Sequence, residues 1–241
     1  MKQLPIVVLI SGTGSNFQAI CRAVDEGRCA AKVLAVISDR ASAKGLDFAR
    51  ERGFPTEVVR LGDYPDRTRW DEALRDTVSR YAPELVVLAG FMKIVGASLL
   101  ARFPGRVINL HPALLPLFPG TDGAAMAVKA GVRISGCTVH VVDSGVDTGP
   151  IIAQAAVRVF PSDDGDTLHK RIQRAEHRIL PWVIDQVAKG AIELSPALKL
   201  PIGEAQDCDI LFSPEATARV PGDLAAVASR DGNPGPRILE K

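Results

Sequence analysis

The chain opens on an uninterrupted apolar block, residues 5–10 (PIVVLI), that stops at a serine and a glycine. Such a run, with no polar alternation, describes a strand covered on both faces, as at the centre of a parallel sheet. The pattern returns at 33–38, briefly at 56–59, then at 85–89 and 106–110. Between these blocks the period is that of a helix. Phe17, Ile20 and Val24 share one face of a first helix, with Ser15 or Asn16 as the expected cap. Residues 43–52 predict a second helix stopped by Gly53, residues 67–81 a third through Trp70, Leu74 and Val78, and 95–101 a short fourth. This alternation predicts an α/β fold with a doubly wound, mostly parallel sheet.

Past Pro116 the pattern changes. Residues 117–131 read as a glycine-rich loop with a weak helix at 124–128. Residues 136–142 alternate and pair with 151–159 as a β-hairpin, and 164–189 form a long amphipathic helix, broken or kinked at Pro181. From Ser195 the chain is rich in Pro, Gly and Ala and reads as an irregular C-terminal extension, 195–241. The expected organisation is a single domain over 1–194, with halves at about 1–105 and about 106–194. There is no internal repeat.

At 241 residues, 46 % of them hydrophobic, the chain can bury one sizeable core. Its 29 Lys and Arg nearly balance 28 Asp and Glu, which argues against a surface dedicated to nucleic acid or membrane. No apolar run is long enough to span a bilayer, and residues 5–10 run straight into glycines without a cleavage site. Cys21, Cys29, Cys137 and Cys208 have no zinc-type spacing and read as reduced thiols, so the expected compartment is the cytoplasm.

Candidate chemistry lies where strands end. Ligands of open α/β sheets bind at the carboxyl ends of the strands. Ser11-Gly12-Thr13-Gly14-Ser15-Asn16 joins a strand to a helix N-terminus, whose free amides favour an anion, most naturally a phosphate. It lacks the Gly-Lys-Ser/Thr of a Walker loop. As a dinucleotide fingerprint it fails at Phe17, although Asp39 ends the second strand where a ribose-reading acid would sit. A tight turn with no ligand is the bland alternative.

Asn109-Leu110-His111-Pro112-Ala113-Leu114-Leu115-Pro116 is the most informative stretch. Asn109 and His111 share one face of an extended strand. An amide hydrogen-bonds a carbonyl, and an imidazole carries a proton near neutral pH. Two buried polar groups on one face would otherwise be costly. Further on, Asp147 sits in Asp147-Thr148-Gly149-Pro150. Alone it reads as a turn former. Beside His111 it would favour the protonated ring and fix its orientation, making a general acid.

Asn109-x-His111-Pro112 with Leu114-Leu115-Pro116, then Asp147 in its DxGP loop, resembles the formyltetrahydrofolate-dependent formyltransferase and hydrolase superfamily. Gly14-Ser15-Asn16, the Leu88-Ala89-Gly90-Phe91-Met92 corner and the chain length point within it to members acting on glycinamide ribonucleotide in purine synthesis. The resemblance runs from about Pro5 to Glu193. It implies a Rossmann-like formyltransferase fold with the phosphate-binding half first and the folate and catalytic half second. It implies 10-formyltetrahydrofolate as co-substrate with no metal, and transfer of its formyl group to the primary amine of 5'-phosphoribosylglycinamide, by a monomer or homodimer. Asn109, His111 and Asp147 would be catalytic. Gly14, Ser15, Asn16, Gln173 and Glu176 would hold the ribonucleotide. Arg67, Met92, Lys93, Ile94, Val95, Asn109, Val142 and Asp143 would line the folate site. His140 and Thr138 would support these groups without touching the reactants.

One departure stands out: many members carry a histidine in the loop where this chain reads Thr121-Asp122-Gly123-Ala124-Ala125-Met126. A rival reading is hydrolysis of the formyl-folate, but such enzymes usually carry an extra N-terminal domain and the first core strand here begins near residue 5. Transfer to initiator tRNA would need a nucleic-acid-binding domain. A nucleotide-binding module without turnover would leave Asn109, His111 and Asp147 unexplained.

Overall fold

A computed structural model describes residues 3–194. The expected 195–241 extension lies outside the described residues. Seven strands form one sheet in the order β3-β2-β1-β4-β5-β6-β7. The strands are β1 (Leu4–Ile10), β2 (Ala31–Ser38), β3 (Thr56–Val58), β4 (Leu85–Leu88), β5 (Val107–His111), β6 (Ile134–Val141) and β7 (Ile151–Arg158). The first five are mutually parallel, and β6 and β7 run antiparallel to their neighbours. The helices are α1 (Ser15–Asp25), α2 (Lys44–Glu51), α3 (Arg67–Ser79), α4 (Ala97–Arg102), α5 (Gly123–Lys129) and α6 (Gly165–Ala188).

Both faces of the central strands are covered, which is why their sequences do not alternate. Ile6, Val8 and Ile10 of β1 pack with α1, α2 and α6, while Val7 and Leu9 pack on the other side with Trp70, Leu74 and Leu99 of α3 and α4. On that second side Asp71 of α3 is buried, and its carboxylate accepts from Gly96 N at 2.7 Å and Ser98 N at 2.8 Å, capping the start of α4. Among the described residues, no helix is long and apolar enough to cross a membrane.

Two local expectations are corrected. The cap of α1 is Gly14, at φ 69°, and not Ser15 or Asn16, which lie inside the helix. A side chain at 14 would strike Gly45 Cα at 2.8 Å, so a glycine with left-handed backbone is required there. The long helix is not broken at Pro181, since α6 runs through it as one element. Pro181 costs one backbone hydrogen bond, but buried Leu180, Val183 and Ile184 hold this stretch to the sheet. A reciprocal capping box starts α6: Asp164 Oδ1 accepts from Thr167 N at 2.8 Å, and Thr167 Oγ1 from Asp164 N at 2.9 Å.

The strand order reverses between β1 and β4, because β2 and β3 lie to one side and β5 to the other. The crevice beyond their carboxyl ends is the switch point where such sheets bind ligands. The Ser11–Asn16 turn leaves β1 there, and the Gly90–Lys93 corner leaves β4.

Candidate active site

Three cleft walls can be built from their elements. The first is the glycine turn with one face of α6. Gln173 and Glu176 lie three apart on α6 and therefore share a face. Gln173 Nε2 donates to Ser15 Oγ at 3.0 Å, and Asn16 Nδ2 donates to Glu176 Oε2 at 3.0 Å. Glu176 is buried, and burial pushes its carboxyl up from the ordinary range despite the Asn16 hydrogen bond. Asn16 Oδ1 is buried with no hydrogen-bond partner.

The second wall is the corner after β4. Met92 N donates to Ser11 Oγ at 2.7 Å, and Ser11 Oγ donates in turn to Asp39 Oδ1 at 2.5 Å. Asp39 is therefore an internal strut between the ends of β1, β2 and β4, and not the ribose reader its position at the end of β2 suggests. Met92 and Ile94 are exposed, while Val95 is buried in the core. Arg67 lies over the Trp70 ring at 4.8 Å and donates to the carbonyl of Ile94.

The third wall holds the trio. Antiparallel register pairs Asn109 with His140 and His111 with Thr138. Asp147 arrives on the β6–β7 connection, at φ 55°. Asp143 stiffens this connection by accepting from Gly145 N at 3.0 Å and Thr148 Oγ1 at 2.7 Å. Val142, next to it, packs against the α3 side of the core. Asp147 Oδ2 lies 3.3 Å from His111 Nδ1, and Asp147 Oδ1 lies 3.4 Å from Asn109 Nδ2. The amide, ring and carboxylate meet, although 36 residues of chain separate His111 from Asp147 (147 − 111).

The hydrogen bonds settle several proton positions. His140 Nδ1 lies 3.0 Å from the carbonyl of Val141, which only accepts, so Nδ1 carries a proton. In the neutral ring His140 Nε2 is then a lone pair, and it accepts from Asn109 Nδ2 at 3.1 Å. A charged ring would instead donate to Asp147 Oδ1, 3.5 Å away, and would repel the nearer amide. The neutral form fits the two shorter contacts. His140 thereby obliges Asn109 to present its amino group. His111 differs. Its Nε2 lies 2.8 Å from the Phe118 carbonyl, and its Nδ1 faces the Asp147 carboxylate, so both nitrogens face acceptors. The doubly protonated ring satisfies both.

Burial alone would push the Asp147 carboxyl up. The Gly120 amide, which donates to Oδ2 at 2.8 Å, and the nearby His111 hold it below the ordinary range all the same. It stays a carboxylate at neutral pH.

Thr138 does not touch the trio. Its hydroxyl donates to Ala113 O at 2.7 Å and accepts from Leu115 N at 3.0 Å and Gln154 Nε2 at 3.1 Å, holding the Pro112–Pro116 segment, which has a cis Leu115–Pro116 bond. The loop after it contributes through its backbone, with Phe118 O on His111 and Gly120 N on Asp147. Such contacts carry no side-chain signature in a sequence. Ser11 was also missed as a strut, although a serine directly after a buried strand is a clue. Asp122 takes a left-handed backbone at φ 64° and starts α5 without a side-chain cap. Cys21, Cys29 and Cys137 are buried free thiols, and burial pushes Cys21 to about 12 and Cys29 to about 11, which leaves both unreactive.

A mostly parallel sheet with a glycine turn at its switch point and an amide–imidazole–carboxylate trio at the same edge is the architecture of an acyl-type group transferase. The chain belongs to the formyl transferase family, whose model matches residues 4–184. It is 49% identical over 183 residues to the phosphoribosylglycinamide formyltransferase of Mycobacterium tuberculosis, covering 76% of this chain and 84% of the relative. It is 41% identical over 189 residues to the enzyme of that name from Escherichia coli K12, covering 78% and 89%. The solved glycinamide ribonucleotide transformylase 1 of Symbiobacterium toebii matches with a TM-score of 0.79 at 44% identity, over 83% of this chain and 94% of that one.

Proposed function

We propose that this chain transfers the formyl group of 10-formyltetrahydrofolate to the primary amine of 5'-phosphoribosylglycinamide, in de novo purine biosynthesis. The products are formylglycinamide ribonucleotide and tetrahydrofolate. The observation that carries this is the meeting of Asn109, His111 and Asp147 at the carboxyl end of β5, on the same sheet edge as the glycine turn that follows β1 two strands away. A phosphate would rest on the amides of the Gly14–Asn16 turn at the start of α1. Glu176 and Gln173 would hold the ribose. The folate would lie against Met92, Lys93, Ile94 and Val95, with its glutamate end toward Arg67 and its pterin toward Val142 and Asp143. On this reading the phosphate half is about residues 1–105 and the folate half about 106–194.

The chemistry needs no protein nucleophile. The substrate amine attacks the formyl carbon, and the carbonyl oxygen becomes an oxyanion. The Asn109 amino group and protonated His111 stabilise it. His111 turns its Nε2 proton from the Phe118 carbonyl to the oxyanion. Asp147 keeps the ring charged and accepts the amine proton through a water, which returns it to the folate N10 as the carbon–nitrogen bond breaks.

The direct test is absorbance of tetrahydrofolate formation with and without glycinamide ribonucleotide. Strict dependence on the ribonucleotide is expected. Equal rates without it would make the chain a hydrolase. Binding of NAD with no turnover would make it a nucleotide-binding module.

Glu176→Gln separates binding from stability. Burial raises the Glu176 carboxyl, so folding favours its protonated form. That contribution is full below the ordinary carboxylate range and is lost as pH rises through the raised value. The glutamine avoids this loss. The variant should melt at or above the wild-type temperature at pH 8, with the advantage shrinking toward pH 4. Its KM for the ribonucleotide should rise roughly 10- to 100-fold, the worth of one hydrogen bond to a charged group. Lower stability than wild type at pH 8 would contradict this account.

A further inference from the structure

Strand register extends the face that carries the trio toward the edge of the sheet. His111 of β5 pairs with Thr138 of β6, and Thr138 pairs with Gln154 of β7. Cross-strand partners share a face, so His111, Thr138 and Gln154 form one row. Cys137, Val139 and Ala155 point the other way, into the core under α6. Gln154, on the edge strand, takes part in no step above.

On this face β6 is covered by the Pro112–Pro116 segment. Leu114 lies over Gly136, where a Cβ would come within 2.8 Å of Leu114 Cδ2. Gln154 Nε2 donates one proton to Leu115 O at 2.8 Å and the other to Thr138 Oγ1 at 3.1 Å. Leu115 N donates to the same hydroxyl at 3.0 Å, and the hydroxyl gives its single proton to Ala113 O at 2.7 Å. The proton directions are fixed, because a carbonyl only accepts and a hydroxyl carries one proton. Just beyond this clamp Leu117 N bonds to Leu114 O at 3.0 Å and turns the chain. Phe118 O then faces His111 Nε2 at 2.8 Å, and Gly120 N donates to Asp147 Oδ2 at 2.8 Å. The loop reaches both catalytic groups through backbone atoms, so its anchor decides where those atoms stand.

Resting on the formyl-transfer reading, we propose that Gln154 is a positioning residue of the reaction. By holding Leu115 and Thr138 it sets the Phe118 carbonyl on His111 and the Gly120 amide on Asp147. It touches no reactant. Its loss misaligns groups that act in the transition state, and it leaves alone the contacts proposed for phosphate and ribose on the glycine turn and α6.

The test uses Gln154→Met and Gln154→Glu in the full chain. The methionine keeps the length and removes both donors. Its kcat should fall on the order of 10- to 100-fold, the effect of about 1 Å of misplacement. Its KM for the ribonucleotide should stay within about 2-fold of wild type, since the loss falls on the transition state. In Gln154→Glu a carboxylate would face only acceptors. The protonated form regains one donor, and such surroundings hold the proton above the ordinary carboxylate range. The kcat deficit of Gln154→Glu against wild type should therefore shrink between about pH 8 and about pH 5.5, and that of Gln154→Met should not. A readout free of turnover is the nuclear magnetic resonance signal of the His111 Nε2 proton. It should shift in Gln154→Met while the backbone amide signals of β1 stay in place. Unchanged kcat in folded Gln154→Met, or an unmoved His111 proton, would overturn the role. An equal deficit at both pH values in Gln154→Glu would make Gln154 a packing residue and equally overturn it. Should the methionine variant fail to fold, the pH response of Gln154→Glu decides by the same criterion. No turnover in wild type would remove the formyl-transfer reading, and this catalytic role with it, even where the proton moves.

Discussion

His111→Ala should lower kcat/KM roughly 100- to 10,000-fold while leaving the fold intact, since a positioned general acid or base contributes about that much. His111 sits at the carboxyl end of β5 with Asp147 on one nitrogen and the Phe118 carbonyl on the other. No other described side chain occupies that place. His140, on the neighbouring strand β6, is committed to Val141 O and Asn109. The loss should fall on kcat, because the ring acts on charge that develops only in the transition state. A melting curve and a near-native circular dichroism spectrum establish folding. Asp147→Asn should follow the same direction, because the ring loses the carboxylate that faces its Nδ1 at 3.3 Å. A folded His111→Ala enzyme with near wild-type turnover would remove the imidazole from the mechanism.

Asn109→Ala should cost about 100- to 1,000-fold in kcat, the usual price of one oxyanion donor. One amide N–H is held by His140 Nε2 at 3.1 Å, and the other makes only a long 3.4 Å contact with Asp147. The second N–H is the one free to turn to the oxyanion. KM for the ribonucleotide should change little, since the contacts proposed for its phosphate and ribose lie on the glycine turn and α6. An equal rise in KM with unchanged kcat would make Asn109 a binding residue and leave the oxyanion without its amide. Stability should fall modestly in the same variant, because Asp147 and His140 each lose a neighbour.

Most of the fold could be read from period alone. β1 and β4 are buried on both faces, so their sequences carry no alternation, and the helices between them show one apolar face. Boundaries moved by at most two residues where the ends are set by backbone geometry. The α1 cap is such a case, because the close approach of Gly14 and Gly45 joins residues 31 apart (45 − 14). At Pro181 the break did not occur for a related reason: a local breaker was overruled by burial of the residues around it.

The site was legible to different depths. Asn109 and His111 announce themselves, because two polar side chains on one face of a buried strand demand partners. Asp147 was legible through its loop motif, yet a carboxylate in a Gly/Pro turn has no meaning until something brings it to a ring. Asp39 shows the converse. Its position at the end of β2 suggested a ligand contact, and the tertiary structure turned it inward to Ser11.

The sequence by itself determined the α/β alternation, the glycine turn after β1 and which side chains can carry protons, because period, glycine placement and residue chemistry are local properties. Only the tertiary structure decided which of these groups meet. The antiparallel pairing of β5 with β6 set His140 behind Asn109, and backbone atoms of the 118–120 loop took up His111 and Asp147. Such contacts depend on strand register and chain reversal, and a linear pattern encodes neither.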